Sequence, residues 1–358
     1  MHNVSHERRY DIDWIRVIAI GLLLVYHVAI GFQPWGIMIG FIRNDRTWPS
    51  LWTAMSLLNV WRIPLLFFVS GMGVYFALRN RNCLQLLRDR AQRILLPFLF
   101  GIVAIVPIHV CLWQYHYRFG IRYSPSPGHL WFLGNLFTYV LILLPVFLFL
   151  KRQEGTPLAH RCSRLLRTPV GLLPMFILFI AEVWILRPVP FEMYAMTWHG
   201  FFLGLLAFSF GYFFVWCGRP FWHMLLRWWW LFLVVAVGLF VLRLTLFNSA
   251  PPGYLLSLES NCWILTIFAL GYRHLNHPSR ALGYLSKAAY PVYILHMIFL
   301  YLGSLVIFPL PIPVPAQYLL LLLFTLAGCL GTYEWVIRRT RILRPLFGLG
   351  VPEKRDAG

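Results

Sequence analysis

The chain alternates long apolar stretches, each with few charges, with short segments rich in arginine, proline and aromatic residues. Ten of the apolar stretches approach the ~20 residues that one helix needs to cross a hydrocarbon core of roughly 30 Å. They cover residues 14–34, 60–78, 94–114, 130–150, 170–186, 197–217, 226–247, 255–273, 287–308 and 316–337. The pattern predicts an all-α, polytopic integral membrane protein with about ten transmembrane helices. Prolines separate the stretches. Pro309, Pro311, Pro313 and Pro315 predict a stiff turn, because proline removes a backbone donor and breaks a helix interior. Pro251-Pro252-Gly253 parts the seventh stretch from the eighth. The connecting loops are short, so the chemistry is expected in the membrane or at its faces. A single membrane-embedded domain is expected over residues 1–350, with 351–358 as a short cytoplasmic tail.

Composition and charge sharpen this picture. The chain is 59% hydrophobic and only 12% charged, about half the charged fraction of soluble domains. Its net charge of +19 comes from 31 basic and 12 acidic residues. With ten spans, 23 of the basic residues fall on the side of the N-terminus and five on the other side. The remaining three, Arg16, Arg62 and Arg243, lie within or at the edge of spans. Positive charge concentrates on cytoplasmic loops, so both termini are expected in the cytoplasm of a bacterial inner membrane. The excess charge thus orients the protein in a lipid bilayer, and no nucleic-acid partner is expected. The six cysteines are scattered, with no Cys-x-x-Cys. They read as small buried hydrophobes, not as a disulfide or metal framework, so no metal site is expected.

Ionisable groups inside spans are costly and become functional candidates. Arg16 and His27 lie eleven residues apart on the first span. At ~100° per residue, eleven steps make three turns plus ~20°, so both side chains share a face. The rise of ~16 Å is about half the hydrocarbon core. A permanent cation near one membrane surface and an imidazole near mid-bilayer suit an enzyme whose substrates arrive from opposite sides. Asp13 stands one helical turn from Arg16 and can pair with it. His27 is a candidate general base, since its ordinary pKa lies near neutrality. It is equally a candidate nucleophile. Glu182, Glu259 and Glu334 are further candidates, each able to orient a histidine or to pair with Arg62, Arg243 or Arg338. His199 and His296, the latter in Tyr293-Ile-Leu-His296, are candidates for lining a cavity or for the core.

Three local motifs add to these. Arg90 and Arg93, one turn apart after the second span, match the phosphates of a nucleotide-tailed donor, which a guanidinium fork binds bidentately. Phe67-Phe-Val-Ser-Gly-Met-Gly73 sets small residues mid-span, where a helix or a ligand can approach closely. Ser70 in that motif is a candidate to stabilise an oxyanion. His129-Leu-Trp-Phe-Leu133 opens the fourth span at the outer surface. Its aromatics suit an interfacial belt or a platform for a sugar, with His129 and Trp131 beside the acceptor.

In this order, these motifs resemble the acyltransferase 3 family of integral membrane O-acyltransferases. The resemblance rests on Asp13-x-x-Arg16 with His27, Pro64 with Ser70-Gly71, Arg90-x-x-Arg93-x-x-x-Pro97, and His129-Leu-Trp-Phe-Leu133. Tyr293-Ile-Leu-His296, Tyr333-Glu334 with Arg338, and Phe347-Gly348 complete it. It implies a ten-helix bundle that takes acyl-CoA from the cytoplasm and acylates hydroxyls of extracytoplasmic or lipid-linked glycans. Arg16 and His27 match the family's essential arginine and histidine. The His129–Leu133 motif is most similar to the branch that modifies periplasmic glucans, often with succinyl groups. Other branches carry a glutamate soon after the tryptophan, where this chain has Gly134-Asn-Leu-Phe-Thr138. The resemblance implies acetyl-CoA or succinyl-CoA as co-substrate, no permanently bound cofactor, and a glycan acceptor. Glu259 and His296 join His129, Trp131 and Ser70 as cavity candidates. The rival reading is a transporter or flippase for a polar or lipid-linked substrate, with His27 as a proton relay. Such proteins often carry inverted repeats and broken helices, and the sequence shows neither.

Overall fold

A computed structural model describes residues 8–247 and 251–350. All regular structure among the described residues is helical, and ten helices are long and apolar enough to cross a membrane. They are α1 (Tyr10–Ile30), α2 (Leu51–Arg79), α3 (Cys83–His116), α4 (Gly128–Arg152) and α5 (Pro169–Leu186). Then come α6 (Trp198–Cys217), α7 (Arg219–Leu246), α8 (Gly253–His274), α9 (Arg280–Ile307) and α10 (Val314–Ile337). Each expected span has its helix. The short tail expected at 351–358 lies outside the described residues.

The helix ends differ from the hydropathy boundaries for local reasons. The first helix stops at Ile30 instead of 34. Pro34 disfavours helical backbone at Gln33, and the Gln33 side-chain amide donates to Trp48 O at 3.0 Å. The second helix begins at Leu51, ahead of 60, and keeps Pro64 in its interior. The third is composite: π-helical turns at Ala91–Leu95 and Gly101–Ile105 flank Leu96–Phe100. Pro97 and Pro107 lack the N–H groups that an unbroken α-helix would bond to Arg93 O and Val103 O, and widened turns absorb the misfit. The proline turn also differs in part. Pro309, Pro311 and Pro313 stand between helices, but Pro315 lies in the first turn of α10, where the missing donor costs nothing.

The chain groups into two compact units. One comprises the chain up to Ala19, Asn59–Arg81 and Tyr139–Ser286. In it α2 and α6 cross at glycines. A Cβ on Gly71 would overlap Phe208 O, and a Cβ on Gly211 would overlap Phe68 O. This close approach answers the small-residue motif read from the sequence. Aromatic rings fill the space around the crossing, with Phe68 stacked on Phe179 and Phe214. Arg9 pins the start of α1. It grips the buried Asp11 through two hydrogen bonds of 2.8 and 2.6 Å and lies over the rings of Trp222 and Tyr272.

The other unit comprises Ile20–Leu58, Asn82–Thr138 and the chain from Lys287 onward. Its core gathers Val28, Phe32, Phe41, Met297, Leu300, Tyr301 and Leu321. Gln317 closes the end of α9. Its fully buried amide Nε2 lies within 3.2 Å of the carbonyls of Ile307, Phe308 and Leu310, while its Oε1 accepts from Asn44 Nδ2 at 2.7 Å. Carbonyls at and just beyond a helix C-terminus lack intrahelical donors; here Ile307 O also accepts from Leu310 N and Leu310 O from Arg46.

Candidate functional site

The sequence-predicted residues are divided between the units. Asp13, Arg16, Ser70 and Glu259 belong to the first; His27, Arg90, Arg93, His129, Trp131 and His296 belong to the second. The helix α1 that carries both Arg16 and His27 is unbroken from Tyr10 to Ile30.

In the second unit three of the predicted histidines meet. His27 Nδ1 is 2.8 Å from His296 Nε2, with the rings 12° from parallel and centroids 5.0 Å apart. The His129 ring stands edge-on to His296 at 4.9 Å between centroids. Two reciprocal bonds tie α9 to the start of α4. The Tyr293 hydroxyl donates to His129 O at 2.6 Å, and His129 Nε2 donates to Ile294 O at 3.1 Å. His296 Nδ1 is 2.6 Å from Tyr293 O, one turn back on its own helix. His296 is 1% exposed. A fourth imidazole, His109, packs on His129 at 5.3 Å and on Tyr301 at 5.4 Å. Sequence reasoning missed His109, although it meets the criterion that singled out His27, an ionisable group within an apolar span. It also missed the hydrogen-bonding role of Tyr293.

The arginine motif of this unit sits where α-helix gives way to π-helix. Arg90 ends the amphipathic Cys83–Arg90 segment and Arg93 lies in the π turn that follows. Arg93 is half exposed and its Nε contacts Asp89 at 2.9 Å. The Phe347-Gly348 motif packs against it from the far end of the chain. Gly348 has φ +71°, and a Cβ there would press on the Tyr290 ring and Arg93 O. Trp131 opens the α-helical part of α4 and its ring meets Phe132 edge-on.

In the first unit Asp13 lies 3.6 Å from Arg16, the pair that the spacing predicts. It also takes a closer 2.9 Å bond from Arg8, which the sequence did not single out. Arg16 keeps 39% of its side chain exposed. Its Nη2 would stand 3.8 Å from a Cβ on Gly73, so the second glycine of the small-residue motif faces the guanidinium. Ser70 Oγ donates to Leu66 O at 2.7 Å, which commits its proton to its own helix.

The three candidate glutamates each have a partner. Glu182 Oε1 bonds His199 Nδ1 at 2.9 Å, both groups nearly fully buried. Glu259 Oε1 is 3.2 Å from Arg243, and Glu192 of the 187–197 loop is 3.8 Å from the same guanidinium. Burial pushes the Glu192 carboxyl above the usual carboxylate range, against the pull of Arg243 and His199. In the second unit Glu334 holds Arg338 with bonds of 2.8 and 2.9 Å along one helix face. Glu259 and Glu334 thus pair with arginines, and Glu182 orients a histidine.

Chemically, the second unit offers imidazoles that can take and return a proton within a span, and the first offers a partly exposed arginine held by an acid. Neither a curated protein nor a solved structure matches the chain. A family model described as an acyltransferase domain matches residues 9–334, nearly the whole chain. The matched range holds Asp13, Arg16, His27, Arg90, Arg93, His129 and His296 and ends at Glu334, ahead of Phe347-Gly348. This multi-pass membrane protein belongs to the acyltransferase 3 family.

Proposed function

We propose that the protein is an acyl-CoA-dependent O-acyltransferase of a bacterial cytoplasmic membrane. It moves an acetyl or succinyl group from cytoplasmic acyl-CoA to a hydroxyl of an extracytoplasmic or lipid-linked glycan, with both of its own termini in the cytoplasm. The observation that carries this reading is the contact of His27 with a second, buried imidazole inside a family of acyltransferases. Polar groups are costly at such a depth, and the chemistry of acyl transfer needs a base there.

In the proposed reaction the acceptor oxygen attacks the thioester carbonyl carbon while His27 takes the hydroxyl proton. The C–O bond forms, the C–S bond breaks, and CoA leaves as a thiolate that recovers the proton from His27. Arg16, Arg90 and Arg93 are assigned to the phosphates of the donor, where guanidinium groups are strong partners. Asp13 holds Arg16. His129 and Trp131 are assigned to the acceptor, and the Leu-Trp-Phe-Leu sequence after His129 favours a periplasmic glucan and a succinyl group. A role for Ser70 in oxyanion binding requires that its hydroxyl leave Leu66 O.

The test uses purified protein in nanodiscs with acetyl-CoA or succinyl-CoA, with and without a periplasmic glucan extract. Release of free CoA thiol is followed for the wild type, His27→Ala and Arg16→Ala. The expected result is thiol release in the wild type and loss of transfer in both variants, with the amount of folded protein little changed. Near wild-type activity in either variant sinks the site assignment. Absence of thiol release from either donor by folded protein moves the transporter reading ahead.

A further inference from the structure

We propose that His296 is a positioning residue that fixes the tautomer of His27, so that the lone pair of His27 lies on Nε2. The proposal rests on the reading of His27 as the base. It starts from the Tyr293 carbonyl, which can only accept a hydrogen bond. At 2.6 Å from that oxygen, His296 Nδ1 carries a hydrogen. A neutral imidazole has one N–H, so His296 Nε2 carries the lone pair. That lone pair faces His27 Nδ1 at 2.8 Å, and His27 Nδ1 is therefore the donor. The opposite tautomer of His27 would set two lone pairs against each other at this distance. The rings are 12° from parallel with centroids 5.0 Å apart, and nitrogens only 2.8 Å apart are too close for rings lying face to face, so the two rings meet at their nitrogen edges.

The surrounding structure holds His296 in this role. The ring is buried, and its own helix is tied to the His129 segment by the Tyr293 hydroxyl and the Ile294 carbonyl. When His27 Nε2 takes the acceptor proton, the His27 Nδ1–H bond to His296 strengthens and part of the charge spreads onto the second ring. The proton goes no further along this path, since the Tyr293 carbonyl beyond His296 is not a base. It returns from His27 to the thiolate leaving group, so protons balance over the cycle. A neutral partner thus does the orienting work that a carboxylate does in serine-hydrolase triads, without placing a fixed negative charge in the span. The same dead end argues against a relay from His27 through His296.

The experiment uses the full-length protein in nanodiscs, with acetyl-CoA turnover followed by thiol release and nitrogen-15 NMR of the His27 ring. His296→Leu removes the acceptor. His296→Gln places an amide oxygen close to the former Nε2, where it accepts from His27 Nδ1. The expected NMR result is the Nδ1–H tautomer of His27 in the wild type and in His296→Gln, and a mixture in His296→Leu. The expected kinetic result is a kcat lower by on the order of 100-fold in His296→Leu, an unchanged KM, and recovery to within roughly tenfold of wild type in His296→Gln. An Nε2–H tautomer in the wild type overturns the proposal, whatever the activities. So does a His296→Leu kcat equal to wild type, or equal loss in both variants with the tautomer unmoved. Retained activity in His27→Ala instead overturns the reading of His27 as base, and the tautomer measurement still judges the His27–His296 pairing by itself.

Discussion

The glycines of the Ser70-Gly71-Met72-Gly73 motif make a sharp prediction, because the structure gives them different neighbours. A Cβ on Gly71 overlaps the main-chain oxygen of Phe208, and the reciprocal Gly211 meets Phe68 O. Neither obstacle is a side chain, so no rotamer change relieves Gly71→Ala and α2 must move away from α6. A displacement of about 1 Å forfeits up to half of the dispersion energy of the atoms that separate. Overpacking of this kind costs roughly 1–3 kcal/mol. The upper end applies here, because the obstacle is backbone and the Phe68, Phe179 and Phe214 stack lies at the same crossing. At roughly 2–4 °C per kcal/mol, a loss of about 3 kcal/mol lowers the melting temperature by roughly 6–12 °C. Gly73→Ala meets only Arg16 Nη2 at 3.8 Å, an ordinary contact. Its melting temperature is expected to be no lower than wild type and up to about 4 °C higher, since alanine's helix propensity is better by about 1 kcal/mol. Tryptophan-fluorescence melts of the two variants in nanodiscs measure the difference. A Gly71→Ala protein that melts with the wild type, or a Gly73→Ala protein that falls as far, refutes the crossing argument.

Glu259→Gln takes the nearer carboxylate from the buried Arg243. It is expected to cost about 3 kcal/mol, the low end for breaking a buried pair, because Glu192 stays at 3.8 Å. A melting curve unchanged from wild type contradicts this. Gln317→Leu takes the amide donor from Phe308 O and the acceptor from Asn44 Nδ2, while Ile307 O keeps Leu310 N and Leu310 O keeps Arg46 and Ile312 N. At about 1–3 kcal/mol per stranded buried group, it is expected to lose at least about 2 kcal/mol and to expose the end of α9 to amide hydrogen exchange. The Glu192 carboxyl titrates higher in the folded protein than in the unfolded chain, chiefly through burial. Its stabilising contribution is present below the unfolded pKa and lost as pH rises through the folded one. Melting temperatures of Glu192→Gln and wild type are therefore expected to diverge in favour of the variant on going from about pH 4 to about pH 7. A constant difference removes Glu192 as the source.

The spans, their number, and the candidate status of Arg16, His27 and Asp13 were all legible in the chain. Hydropathy over ~20 residues and the ~100° step of a helix are local properties, carried by neighbouring residues whatever else the chain does. The Asp13–Arg16 pair follows from the same local geometry, and the structure has it at 3.6 Å. Local geometry does not choose among distant partners of like chemistry. Three glutamates faced several arginines and histidines in the sequence; helix packing assigned Glu182 to His199 and Glu259 to Arg243, whereas Glu334 took Arg338 one turn along its own helix. The small-residue motif promised a close approach without saying of what. The tertiary structure gave Gly71 a helix backbone and Gly73 an arginine. Pro97 stood in the sequence only as the end of the arginine motif, and only the packing of Gly348 on Arg93 O shows what meets that stretch of α3. His27 and His296 stand 269 positions apart. Each was visible alone as a costly group in an apolar span, and their hydrogen bond exists only because α1 and α9 pack side by side in one unit, with α9 held in place by the Tyr293 and His129 bonds.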